Sequence, residues 1–162
     1  MPVQPIPHGF NSVSCYLVLK GITKAIDFYV NAFGAKPGTV MKMPDGSTIL
    51  HAEVCIGNST VMLTEENPQW EMKSAETLGG SPVSMHLYVE DVDTAFQRAL
   101  DAGCEVVAPL MDAFWGDRYG KVKDPFGLQW GIATHKEDFS EEEMGKRAAD
   151  WFASMASGEC HE

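Results

Sequence analysis

The sequence predicts an α+β fold: two β-α-β-β-β modules forming a curved, groove-enclosing mixed sheet, followed by a C-terminal helix. Three observations predict it. Ser84 to Tyr88 alternates as a strand does and passes through Val89-Glu90-Asp91-Val92 into a helix start, and the same transition lies 70 residues earlier. The two copies align residue by residue: Ser14 falls on Ser84, Val18-Leu19 on Tyr88-Val89 and Ala25-Ile26 on Ala95-Phe96, with a slip of one at Gly34 and Gly103. After Thr134 the composition turns charged and helical. The predicted units are residues 11–65, a linker at 66–82, residues 83–135 and a helix at 139–157.

The first module opens with a β-branched and aromatic strand from Asn11 to Leu19. Ile22, Ile26, Tyr29 and Phe33 then share one helix face, and Gly34 stands as the C-cap. Strands follow at Val40 to Met43 and, after the Pro44-Asp45-Gly46 turn, at Thr48 to Ile56; Gly57-Asn58 is a two-residue hairpin signal leading into Ser59 to Thr64. From Glu65 to Pro82 the chain is polar and aperiodic, which reads as a linker with Trp70 and Met72 as docking points. The second module repeats the order: a strand at Val83 to Val89, a helix carrying Val92, Phe96 and Leu100 and ending at Gly103, then strands at Glu105 to Leu110, Arg118 to Lys123 and Leu128 to Thr134. Asp124-Pro125-Phe126-Gly127 is the turn between the last two. Ser140-Glu141-Glu142-Glu143 is a capping box, and Met144, Ala148, Trp151, Phe152 and Met155 form an apolar stripe that needs the body or a second subunit to cover it.

Composition limits the function classes. A chain of 162 residues, 44% hydrophobic, buries an adequate core without metal or disulfides. Twelve Lys and Arg against 23 Asp and Glu leave a net charge of -11 with no basic stripe, which disfavours nucleic acid and anionic membranes and favours a small molecule or another protein as partner. With no long apolar run and no signal-peptide pattern, the expectation is a cytoplasmic protein. Cys15, Cys55, Cys104 and Cys160 form no CxxC and read as small buried hydrophobes in a reducing compartment; Cys160-His161 makes at most a weak metal site.

The paired modules, the phrases Ala25-Ile26-Asp27-Phe28-Tyr29 and Tyr88-Val89-Glu90-Asp91-Val92, and the closing Asp124-Pro125-Phe126-Gly127 resemble the vicinal-oxygen-chelate superfamily of glyoxalases, bleomycin-resistance proteins and extradiol dioxygenases. Leu50-His51-Ala52-Glu53-Val54, Phe114-Trp115-Gly116 and Gly120-Lys121-Val122 resemble its PhnB-like branch. The resemblance implies a divalent metal held by four inward side chains. Here those places fall on Ser14, Met62, Ser84 and Gly131, a poor ligand set, so no cofactor is expected there.

Strand parity, starting from Ser14 and Ser84 as inward, turns Tyr16, Val18, His86 and Tyr88 inward too. The Gly57-Asn58 hairpin sets Met62 against Glu53 and Thr64 against His51, so His51 and Glu53 join them. The superfamily's last hairpin implies that Tyr119, Lys121 and Gln129 face in and that Trp130 faces the helices, while Phe114-Trp115 closes the mouth. Three functions compete: a metal-free small-molecule binder walled by Tyr16, Met62, Tyr88, Trp115, Tyr119, Lys121 and Gln129; an enzyme using His51, Glu53 and His86 for acid-base chemistry or as ligands of a displaced divalent metal; and a structural partner-binding module. The resemblance and the Trp151-Phe152-Met155 stripe also predict a homodimer.

Overall fold

The computed structural model describes residues 3–46 and 48–157. The first module comprises β1 (Tyr16–Leu19), α1 (Ile22–Phe33), β2 (Lys36–Lys42), β3 (Ile49–Ile56) and β4 (Ser59–Glu65). A 3-10 turn (Pro68–Trp70) and a short helix α2 (Ala75–Leu78) connect it to the second: β5 (Ser84–Tyr88), α3 (Val92–Asp101), β6 (Glu105–Asp112), β7 (Asp117–Lys123) and β8 (Gln129–His135). Helix α4 (Glu141–Ser157) follows. Hydrogen bonding divides the strands into two four-stranded mixed sheets of matching order, β1-β4-β3-β2 and β5-β8-β7-β6. The hairpin register is the one the Gly57-Asn58 signal predicts: Ile56 opposes Ser59, Cys55 opposes Thr60 and Glu53 opposes Met62.

The modules also repeat in how they start their helices. Gly21 has no side chain to cap α1, and the Glu65 carboxylate at the end of β4 accepts instead from the N–H groups of Gly21 (2.7 Å) and Ile22 (3.1 Å). In the second module the Thr134 hydroxyl, near the end of β8, accepts from Val92 N–H (2.9 Å), while Asp91 accepts from Thr94 N–H (3.1 Å).

The core runs through both modules by way of the helices. Leu17, Leu19, Ala52, Val54, Ile56, Val61 and Leu63 turn one face of the first sheet toward α1, and Met85, Val122, Trp130 and Ile132 do the same for the second. Side chains of α1 reach across: the Phe33 and Trp130 rings are 4.5 Å apart, and those of Phe28 and Phe126 are 5.7 Å apart. At this junction Asp124, 1% exposed, accepts from Tyr29 Oη (3.1 Å), Trp130 Nε1 (2.9 Å) and the Phe126 and Leu128 N–H groups (both 2.9 Å). Burial pushes its carboxyl upward despite these donors. The modules are therefore locked by a polar hub inside an apolar seam.

Several expected boundaries move, each for lack or gain of a pairing partner. Residues 11–15 do not extend β1, because β1 is an edge strand whose ladder with β4 begins at Tyr16 opposite Met62; Ser14 Oγ instead donates to Asn11 O (3.2 Å). Strand β2 begins at Lys36 and β6 continues to Asp112, both carrying register shifts against their neighbours. The linker holds structure of its own, with Ser74 buried against the Glu66 carboxylate (2.7 Å), while Trp70 remains 60% exposed. Cys104 is buried and its thiol is pushed up to about 12 by burial, whereas Cys15 is exposed and Cys55 only partly covered, which corrects the uniform buried reading. Cys160 and His161 lie outside the described residues.

Candidate functional site

Alternation puts the predicted site residues on the sheet faces turned away from the core. On the first sheet Tyr16, Val18, His51, Glu53 and Met62 alternate with the buried Leu17, Leu19, Ala52, Val54 and Leu63. Tyr16 and Glu53 both sit opposite Met62 in the ladders. His51 bridges the row: its Nε2 is 3.4 Å from Glu53 Oε1 and its Nδ1 is 3.4 Å from Tyr16 Oη.

The second sheet carries the larger set. Strand β8 runs between β5 and β7, pairing His86, Gly131 and Lys121 in one row and Tyr88, Ala133 and Tyr119 in the next. The small residues of β8 let the flanking side chains lean over it. A Cβ on Gly131 would come within 2.9 Å of both His86 Nδ1 and Tyr119 Cε2, so only glycine admits these two rings, which stack at 5.7 Å with 7° between their planes. Tyr88 adjoins His86 at 4.7 Å, tilted by 49°, and Trp115 meets Tyr119 edge-on at 5.5 Å and 63°, giving a run of four adjoining rings with the parallel pair at its centre. Gln129 lies one row from Gly131, opposite Ser84 and Lys123.

At the end of this face stands a group that sequence reasoning missed. Asp117, 3% exposed, accepts at Oδ2 from Tyr88 Oη (2.9 Å) and Trp115 Nε1 (2.9 Å), and its Oδ1 is 2.7 Å from His135 Nδ1. His135 Nε2 is in turn 3.1 Å from Asp138. Burial pushes the Asp117 carboxyl up, but bonds from His135, Tyr88 and Trp115 outweigh it and hold it below its ordinary value; bonds to Asp117 and Asp138 raise His135. Asp117 and His135 are paired in the β7–β8 ladder. The signal was available by extending, two residues at a time, from Tyr119 and Gln129, which the superfamily resemblance implies face in, but strands read as starting at Arg118 and ending at Thr134 stop one residue short of both.

Since the folded Asp117 value is lowered and the folded His135 value raised, the pair is charged on both sides between them. His135 therefore stabilises the fold below the ordinary imidazole value of 6.5, and that contribution fades as pH rises through its raised value. Urea unfolding across this range should show stability falling on the alkaline side, and His135→Gln should flatten the fall.

Helix α4 meets the site only at its rim. The Phe114 ring lies 5.1 Å from Trp115, 5.4 Å from Trp151 and 6.3 Å from Phe152, and the strap before α4 crosses Gly116, whose carbonyl accepts from the N–H groups of Lys136 (2.9 Å) and Glu137 (3.1 Å). Phe152 and Met155 each remain 61% exposed, so the body covers only part of the stripe.

Among the described residues no hydrogen bond or ring contact joins Tyr16, His51, Glu53 or Met62 to His86, Tyr88, Trp115 or Tyr119, and no three His, Cys, Asp or Glu side chains gather as metal ligands. His51, Glu53 and His86 are therefore not gathered as a metal-ligand trio among the described residues. The four superfamily metal places do not suit a metal either: Ser14 and Ser84 bond backbone carbonyls at 3.2 and 3.3 Å, Met62 offers a neutral thioether and the space at Gly131 is filled by rings. What the single chain does form is a cleft of about 520 Å³ between the β3–β4 turn (Ile56 to Ser59) and edge strand β5, with His86 and Tyr88 on its wall. A neighbouring cleft of about 360 Å³ runs along edge strand β1.

The geometry of paired modules is that of a known family. The chain belongs to the Glyoxalase/Bleomycin resistance protein/Dioxygenase superfamily, whose model matches residues 10–132. It is 43% identical over 136 residues to an uncharacterized protein of Mycobacterium tuberculosis strain H37Rv, covering 82% of this chain and 79% of that one. Among solved structures it is similar to TioX from Micromonospora sp. ML1 (28% identity, TM-score 0.59, 77% of this chain and 98% of that one). It shares its fold with a PhnB protein from Bacillus cereus (17% identity, TM-score 0.60, 76% and 99%). The family match ends before His135 and α4. Among the described residues no helix is long and apolar enough to cross a membrane.

Proposed function

We propose that this protein binds a small planar molecule on the aromatic face of its second sheet, without the superfamily metal, and that two chains pair to cover the open faces. The observation that carries the reading is the His86, Tyr88, Tyr119 and Trp115 wall standing over Gly131. Rings on a soluble surface are normally scattered singly, whereas here four adjoin, with Tyr88 60% exposed and Tyr16 on the other module 49% exposed. A ligand stacked there gains ring contact, and a second chain would remove the remaining edges from water. Lys121 and Gln129, on the same face, supply polar contacts. In this reading the partners are a small molecule and a second copy of the chain, with neither nucleic acid nor membrane, and the setting is the cytoplasm.

A second reading rests on the 3.4 Å approach of His51 to Glu53 and to Tyr16, a long contact that becomes an acid-base pair with a hydroxyl beside it if it tightens on a bound ligand. Facing the ligand across a dimer, the pair would move a proton on it. Titration with acridine, followed by tryptophan fluorescence, separates the possibilities. Binding in the micromolar range that weakens at least about tenfold in Tyr119→Ala, about 1.4 kcal/mol, is expected. Unchanged binding in Tyr119→Ala would remove the second sheet from the site, and loss of binding in His51→Ala alone would move the site to the first sheet.

A further inference from the structure

We infer that the ligand of the aromatic face is a flat organic cation, a protonated or quaternised heteroaromatic amine, with its charge over the Tyr88 and Trp115 end; this rests on the reading of that face as the ligand site. Tyr88 Oη and Trp115 Nε1 donate to one and the same oxygen, Asp117 Oδ2, each at 2.9 Å. Both polar handles are thus turned inward, and these side chains offer a ligand ring surface. A phenol and an indole that donate to a carboxylate hold more electron density in their rings, which deepens the negative potential on the ring faces that attracts a cation. A neutral or anionic ligand draws nothing from this arrangement.

Asp117 acts through the rings and not by contact. Its side chain is 2% exposed and engaged by Tyr88, Trp115 and His135, so it is a positioning residue. The neighbouring charges agree with the assignment. His135 is bracketed by two carboxylates, Asp117 and Asp138. Lys121 lies opposite Gly131 in the ladder, on the far side of the Tyr119 row from Asp117, so the cation's place is at the Asp117 end. The net charge of -11 raises the local concentration of cations.

The test compares N-methylacridinium with acridine at mildly alkaline pH, where acridine is neutral and of nearly the same shape. The cation should bind about tenfold more tightly, as charge over two or three partly exposed rings predicts. In Tyr88→Phe both probes should weaken and the cation more, so that the ratio falls to about threefold; Asp117→Asn, which removes the charge both rings donate to, should also lower it. Tyr88→Phe keeps the test valid if Asp117→Asn fails to fold, because Tyr88 is largely exposed. Equal affinity of wild type for the two probes, or an unchanged ratio in Tyr88→Phe, overturns the inference while leaving the face as a ligand site. Failure of both probes to bind overturns the inference and the ligand site together.

Discussion

Asp124→Ala should cost the folded state at least about 3 kcal/mol and lower the melting temperature by about 10 °C. The carboxylate is 1% exposed and takes four hydrogen bonds, from Tyr29, Trp130, Phe126 and Leu128. Removing it strands four donors in a site water does not reach, and one of them, the Tyr29 hydroxyl, belongs to the other module. Each buried unpaired donor costs about 1–3 kcal/mol, and relaxation of the turn recovers part of the sum. Asp124→Asn, which keeps the shape and one oxygen acceptor, should lose less. Because the hub joins α1 to the β7–β8 turn, the two modules should also become separable, seen as a broadened or two-step denaturant transition. A loss below about 1 kcal/mol would mean that the apolar seam of Phe33, Phe28, Trp130 and Phe126 alone holds the modules together.

Gly131→Val should reduce ligand binding at least about tenfold, at a cost of about 1–3 kcal/mol in stability from overpacking. The space a side chain would enter is occupied: the first carbon alone meets His86 Nδ1 and Tyr119 Cε2 at 2.9 Å. The branched side chain pushes these rings apart and ends their stacking, so the wall loses its two central members while its outer ones, Tyr88 and Trp115, stay bonded to Asp117. Gly145→Ala is the control. Nothing lies within 4 Å of a Cβ there, and the position is inside α4, so binding should be unchanged and the helix slightly favoured. Wild-type binding in Gly131→Val would show that the stacked pair does not touch the ligand.

Much of this was legible in the sequence because it depends on period and parity. The offset of 70 gave both modules, and the Gly57-Asn58 turn gave the register that places His51, Glu53 and Met62 on one face. Gly131 is legible as a position without a metal ligand, but its use is not, since the approach of His86 and Tyr119 is a matter of three strands and their rotamers. Asp117 was hidden by a strand boundary read one residue late. The relation of the two faces was hidden for a deeper reason: parity says which way a side chain points from its own sheet, and nothing about how two sheets are turned relative to each other. Their mutual placement is set by α1 and the Tyr29–Asp124 hub, a contact across 95 residues that no local pattern announces.

The most direct measurement is a side-chain proton spectrum of the protein, with assigned histidine and aromatic resonances, during titration with N-methylacridinium. Stacking on the proposed wall predicts upfield ring-current shifts at His86, Tyr88, Tyr119 and Trp115, with little change at Trp70 and Trp130. Shifts confined to the first sheet around His51 and Tyr16, or no saturable shift at any of the four, would contradict the account.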